Sequence, residues 1–192
     1  MIKSPIPKVS EKLQYRAIGL IYGRYKPLDF DSLNKGLLSD GSGNNLDSVV
    51  LGKALPLIKK YIKFERKYFW IVYPRNKNDN NLHLQIAGIW DPNNFDDSFY
   101  QELNEPDEIL AKLNLSNNFF SIRGKLVFVN ISQNNFLVKI YPSNPKIKSK
   151  SKSFKIRVKG EIPLKLINSF VSIEAIRKGD SLEMKDFEVI ET

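Results

Sequence analysis

Apolar and polar residues alternate in twos along three runs in the second half of the chain. They are FFSIRGKLVFVN (residues 119–130), NFLVKIYP (135–142) and SFKIRVKG (153–160). A period of two is that of a β-strand, whose successive side chains point to opposite faces. In the third run Phe154, Ile156 and Val158 fall on one side, and Lys155, Arg157 and Lys159 on the other. Arg123 and Lys125 alternate in the same way with Ile122, Gly124 and Leu126, and Lys139 stands between Val138 and Ile140. Paired as neighbours, these strands present one apolar face and one strongly basic face.

Taken from its start, the chain opens on residues 1–12, which carry Pro5 and Pro7 and read as a loose arm. Residues 15–25 (YRAIGLIYGRY) are apolar on both faces, as a central strand is, and Gly19 and Gly23 mark a bend where a barrel strand curls. Residues 35–39 and 46–52 read as two further strands around the turn DGSGNN at 40–45. Over 53–64 the period changes: Ala54, Leu55, Ile58 and Ile62 recur at helical spacing, and Pro56 fits the first turn, where its missing N–H costs nothing. KYFWIVYPR (67–75) and LHLQIAGIW (82–90) are an aromatic, β-branched strand and its return. In the second half, 169–177 and 181–190 complete five strands, with turns at Gln133-Asn134 and Lys178-Gly179-Asp180.

Both halves thus read strand-strand-strand, a helix or its gap, strand-strand, the order of the five-stranded OB barrel. The expected fold is mostly β, as two tandem OB-like barrels or as one merged β-barrel or sandwich, with one short helix in the first half. The expected division is residues 13–92, an acidic connector at 93–118, and residues 119–192 with the basic face.

Composition narrows the chemistry. The chain has 192 residues, enough to bury a core without staples, and 42% hydrophobic against 27% charged residues, as in a globular protein. Cysteine is absent, which removes disulfides, zinc-thiolate sites and cysteine nucleophiles together. His83 is the single histidine, too little for a zinc site, and no Ser-His-Asp arrangement stands out. Asp29 and Asp31 suit a polar loop better than a magnesium site. Gly41-Ser42-Gly43 lacks the third glycine of a dinucleotide fingerprint, and Gly52-Lys53 lacks the rest of a P-loop. No enzyme, cofactor or metal is expected. No secretory signal or membrane-length apolar run is visible, so the expected location is cytoplasmic.

The formal charge is +9, which favours polyanionic partners. Total charge alone is weak evidence in a chain rich in Lys, Asn and Ile, the style of AT-rich coding sequence; the strand alternation is stronger. Cationic strands with aromatic neighbours are the composition of a single-stranded nucleic-acid binder, in which bases stack on rings and phosphates meet cations. The candidate residues are Arg75, Arg123, Lys125, Lys139, Tyr141, Lys155, Arg157 and Lys159, with Lys148, Lys150 and Lys152 from the lysine–serine loop. Candidate stacking rings are Phe128, Tyr141 and Phe154, and Tyr22, Tyr25, Tyr68, Trp70 and Tyr73; core packing competes for each, and Phe154 alternates inward. The expected function is non-catalytic binding of single-stranded RNA or DNA, with RNA favoured. The alternative is an interaction adaptor that docks an acidic protein. Residues 123–129 hint at an RNA-recognition strand but lack its aromatic positions.

WIVYPR (70–75), LHLQIAGIWDP (82–92) and FFSIRGK (119–125) resemble blocks of a conserved family of cyanobacteria and plastids. The resemblance covers Tyr15 to about Ile176 and implies a housekeeping or regulatory protein of the cyanobacterial cytoplasm or plastid stroma. It implies no catalytic residue. It draws attention to Tyr73, Pro74, Arg75, His83, Gln85, Trp90 and Arg123.

Overall fold

The computed structural model describes residues 2–77, 81–96, 99, 103–142 and 152–192. They divide into two compact units: residues 1–7, 19–73 and 83–119, and residues 8–18, 74–82 and 120–192.

The first unit is built on β1 (Arg16–Pro27), β2 (Lys35–Ser39), β3 (Asn45–Val50), β4 (Tyr68–Lys77) and β5 (Asn81–Trp90), with the outer ends of β1, β4 and β5 counted in the second unit. The pairing runs β1-β2-β3-β5-β4 and returns to β1, a closed five-stranded barrel. The β3–β5 pair is parallel, Val49 opposite Gln85. Helix α1 (Leu55–Tyr61) fills the gap between β3 and β4, with Pro56 in its first turn and Ile58 buried. β1 changes partner midway, from β4 at Gly23 to β2 at Arg24. A Cβ at position 23 would fall on the Ser39 carbonyl, so only glycine allows this turn of the strand around the barrel.

Over Gly19–Gly23 both faces of β1 are covered, as the two-sided apolar pattern there requires. Tyr25 meets Trp70 at 5.8 Å between ring centroids. Leu20 and Tyr22 pack with Phe69 and Leu110. Leu110 comes from helix α2 (Pro106–Ala111), and Leu103 and Leu115 pack beside it. Tyr22, Tyr25, Tyr68 and Trp70 are therefore core residues, and as stacking candidates they are corrected.

Burial pushes the Tyr25 phenol up to about 12, while its hydroxyl donates to the Leu33 carbonyl at 2.9 Å. The folded state keeps the proton that the unfolded chain, near 10, releases first. Stability from this group is whole below pH 10 and is lost as pH climbs from 10 through 12. Tyr25→Phe is expected to flatten the fall of the urea midpoint across that window; an identical fall in the variant would refute the assignment.

The second unit holds β6 (Phe119–Asn130) from its second residue on, with β7 (Asn135–Ile140), β8 (Phe154–Lys159), β9 (Phe170–Lys178) and β10 (Ser181–Glu191). Their order is β6-β7-β8-β10-β9, with β9 returning to β6 and β8–β10 parallel, again a closed barrel. A 3-10 turn at Leu164–Leu166 stands where the first barrel has its helix. The turns predicted at 133–134 and 178–180 place Asn134 and Gly179 at positive φ. Phe136, Val138, Ile156, Val158, Val171 and Ile173 form the interior.

The N-terminal residues correct the expectation of a loose arm. Pro5 and Pro7 cannot donate, but the carbonyls around them accept. The Trp90 indole N–H donates to the Lys3 carbonyl at 3.0 Å in the first unit. In the second, the Arg123 guanidinium donates to the carbonyls of Lys12 at 2.6 Å and Gln14 at 3.3 Å. No helix among the described residues is long and apolar enough to cross a membrane.

Candidate nucleic-acid interface

The outer face of β6, β7 and β8 is organised by register. Lys139 lies directly opposite Lys125 on β6 and Lys155 on β8. Directly opposed side chains stand about 5 Å apart at Cβ, and like charges so placed repel. Three ammonium groups thus form one transverse row, a local positive maximum that an anion relieves. In the next row Leu137 stands between Phe128 and Arg157; in the third, Asn135 stands between Asn130 and Lys159. The Arg157 Nη1 donates to the Asn135 Oδ1 at 2.8 Å, which holds the guanidinium along the face.

A bulge between Leu126 and Phe128 decides where the aromatic ring goes. Strict alternation would place Phe128 inside with Ile122, Gly124 and Leu126. The extra residue shifts the phase by one, and Phe128 emerges 45% exposed. Tyr141, just past β7, is 42% exposed. Its ring meets Tyr15 edge-on at 5.2 Å, and the Lys139 Nζ lies 5.1 Å from its centroid. Two open rings therefore border a lysine row.

Charge on this barrel is sided. β6, β7 and β8 carry six Lys and Arg and no Asp or Glu, whereas β9 and β10 carry five acids against three cations. Drift towards lysine would spread evenly; this distribution does not.

Of the predicted residues, Lys125, Lys139, Tyr141, Lys155, Arg157 and Lys159 meet on this one face, and exposed Lys152 precedes β8. Lys148 and Lys150 lie outside the described residues. Arg123 alternates as an outward residue but is only 5% exposed, covered by residues 12–16. Nearby, the Arg16 Nη2 donates to the Ser121 Oγ at 2.7 Å, and burial, with Arg123 second, lowers the Arg16 pKa. Arg123 is thus a buried anchor for the arm, with its Nε and Nη2 donating to carbonyls. Arg75 lies 3.8 Å over the Phe154 ring, capping half-buried Phe154.

Pattern reading missed Arg24, Lys26 and Lys35, which are exposed on the corresponding strands of the first barrel. Lys26 faces Leu37, which in turn faces Asp47, and Lys35 faces Val49. The alternation Gly23-Arg24-Tyr25-Lys26-Pro27 was the available signal. Among the described residues no group of three His, Asp or Glu is placed to hold a metal.

Residues 17–97 match the family model of the PatR RNA-binding protein, N-terminal OB-fold domain. Residues 122–191 match that of the cyanobacterial OB-fold-like RNA-binding domain, C-terminal. The two matches follow each other in chain order and fit a conserved cyanobacterial family. Curated proteins give no match. Among solved structures, the wild-type single-stranded DNA binding protein from Thermus aquaticus aligns over 90% of this chain and 91% of its own, at 10% identity and a TM-score of 0.41. A deletion mutant of that protein aligns over the same shares at 10% identity and a TM-score of 0.40.

Proposed function

We propose that this chain, carrying the paired OB-fold domains of a cyanobacterial RNA-binding family, binds single-stranded RNA without catalysis through the β6–β8 face of its second barrel. The observation that carries the reading is the in-register row Lys125–Lys139–Lys155 beside two exposed rings. OB barrels engage oligonucleotides on the face of their second and third strands, which here are β7 and β8. The lysines meet successive phosphates, and bases stack on Phe128 and Tyr141 at about 1–3 kcal/mol per base. Phosphate contacts carry no sequence information, so the lysine row alone provides grip without choice of sequence. RNA is favoured over DNA because both matched domains are described as RNA-binding.

The test is fluorescence anisotropy of a labelled single-stranded RNA titrated with the full chain across about 50 to 200 mM salt. Each phosphate neutralised contributes about −0.7 to the log–log slope for a single strand. Neutralising the row (Lys125→Gln, Lys139→Gln, Lys155→Gln) is expected to make the slope shallower by about 2. An RNA complex indifferent to salt, or a slope the variant leaves unchanged, overturns the reading.

A further inference from the structure

The lysine face ends at an open groove of about 590 Å³ in the second unit. Its apolar walls include Ile131, 71% exposed in the turn after β6, and Leu164, 50% exposed in the turn before β9. Pro163 and Val129 extend these walls, and Glu161 contributes the acidic group of the lining. The groove continues from the proposed face along two strands. Asn130, in the third row of that face opposite Asn135, lines the groove, and Gly160, directly after Lys159 of the same row, lines it from the other side. A strand that crosses the lysine row and runs on past Phe128 to the third row therefore arrives at this groove.

The chemistry of the lining selects what enters. Apolar walls and a carboxylate, with the amide side chains of Asn130 and Asn134 between them, suit a base better than a phosphate, while exposed Lys159 and Lys165 adjoin lining residues in the chain and can hold phosphates outside the groove. A nucleobase matches: its faces are apolar and its edge is polar, and single-stranded RNA is read by splaying bases out and bonding their Watson–Crick edges. A carboxylate only accepts. Guanine presents two adjacent donors on that edge, N1–H and the N2 amino group. Uracil presents one donor between two carbonyls that repel a carboxylate, and adenine one amino group beside an acceptor nitrogen.

We infer that the Ile131–Leu164 groove takes an unstacked guanine of the bound strand, with the Glu161 carboxylate accepting from its N1–H and N2–H groups. The inference rests on the RNA-binding reading above and gives that surface a base preference.

The test is anisotropy with three labelled RNAs: an all-uridine run, the same run with one central guanosine, and the same run with one central adenosine. The wild-type chain is expected to bind the guanosine RNA about tenfold more tightly than the other two, the range of a good bidentate base contact. Glu161→Gln is expected to reduce that preference, taken as the ratio of guanosine to all-uridine affinity for the same variant, to about twofold or less. Leu164→Ser should act in the same direction by removing a wall. Equal binding of the three RNAs by wild type, or a preference that survives Glu161→Gln, overturns the inference while salt-sensitive uridine binding leaves the parent reading standing. Failure of every RNA to bind overturns both.

Discussion

Reversing the lysine row, with Lys125→Glu, Lys139→Glu and Lys155→Glu together, is expected to weaken single-stranded RNA binding by two orders of magnitude or more at low salt. A charge pair at contact distance in water contributes roughly 1 kcal/mol. Loss of three such contacts is therefore about 3 kcal/mol, a little over two decades in affinity, before any repulsion from the new carboxylates is counted. Anisotropy at about 50 mM salt is the direct measurement. Retention of wild-type affinity would make the row a solvated face.

A single change within this set separates binding from folding. Lys139 is flanked on both sides by lysines, so Lys139→Glu creates two opposite-charge neighbours where there were two like-charge ones. Each cross-strand pair contributes about 0.2–1 kcal/mol, so this variant should melt higher than wild type while binding RNA less well. Phe128→Ala and Tyr141→Ala separate nucleic acid from an acidic protein partner. Stacked bases lose about 1–3 kcal/mol per ring removed, whereas a partner held by charge alone is insensitive to either change.

Gly124→Val is expected to unfold the second barrel, with a loss of about 3 kcal/mol or more. Overpacking a tight site ordinarily costs 1–3 kcal/mol, and here the obstacle is backbone. A Cβ at position 124 would fall on the Lys139 carbonyl oxygen, with the Val138 Cγ1 at 3.0 Å behind it. β6 bends around the barrel at this point: the Leu126 N–H donates to the Ser169 carbonyl at 2.9 Å, while Lys125 is already paired with Lys139. The strand cannot yield without opening one of its two seams. The check is a urea titration followed by far-UV circular dichroism. A midpoint shift worth less than about 1 kcal/mol would show that the seam is soft.

Local period and turn chemistry made the strands legible. The inward set Phe136, Val138 and Ile140 and the turn at Asn134 are readable within a few residues, and the structure places them as expected. α1 was legible too, because Pro56 is tolerated only where it sits, in the first turn. What could not be read depends on residues far apart in sequence. Arg123 has the alternation of a surface cation, yet the carbonyls that bury it are more than a hundred positions away. Leu110 looked like part of an acidic stretch, and only the exposed flank of β1 explains its burial. Phe128 was ambiguous for a different reason. A bulge leaves no mark in hydrophobicity, and one residue of phase decides between core and solvent. Cross-strand register is equally silent in a single run, so the alignment of Lys125, Lys139 and Lys155 emerged only from the pairing.

The separation of cations on β6–β8 from acids on β9–β10 makes the second barrel an electric dipole across its own width. In the field of a polyanion such a body experiences a torque before it makes contact. It turns the lysine side forward and the acidic side away, so a larger share of collisions arrive in the productive orientation. Added salt shortens the reach of that torque to about a Debye length. Salt is then expected to slow capture as well as to weaken the lysine contacts themselves.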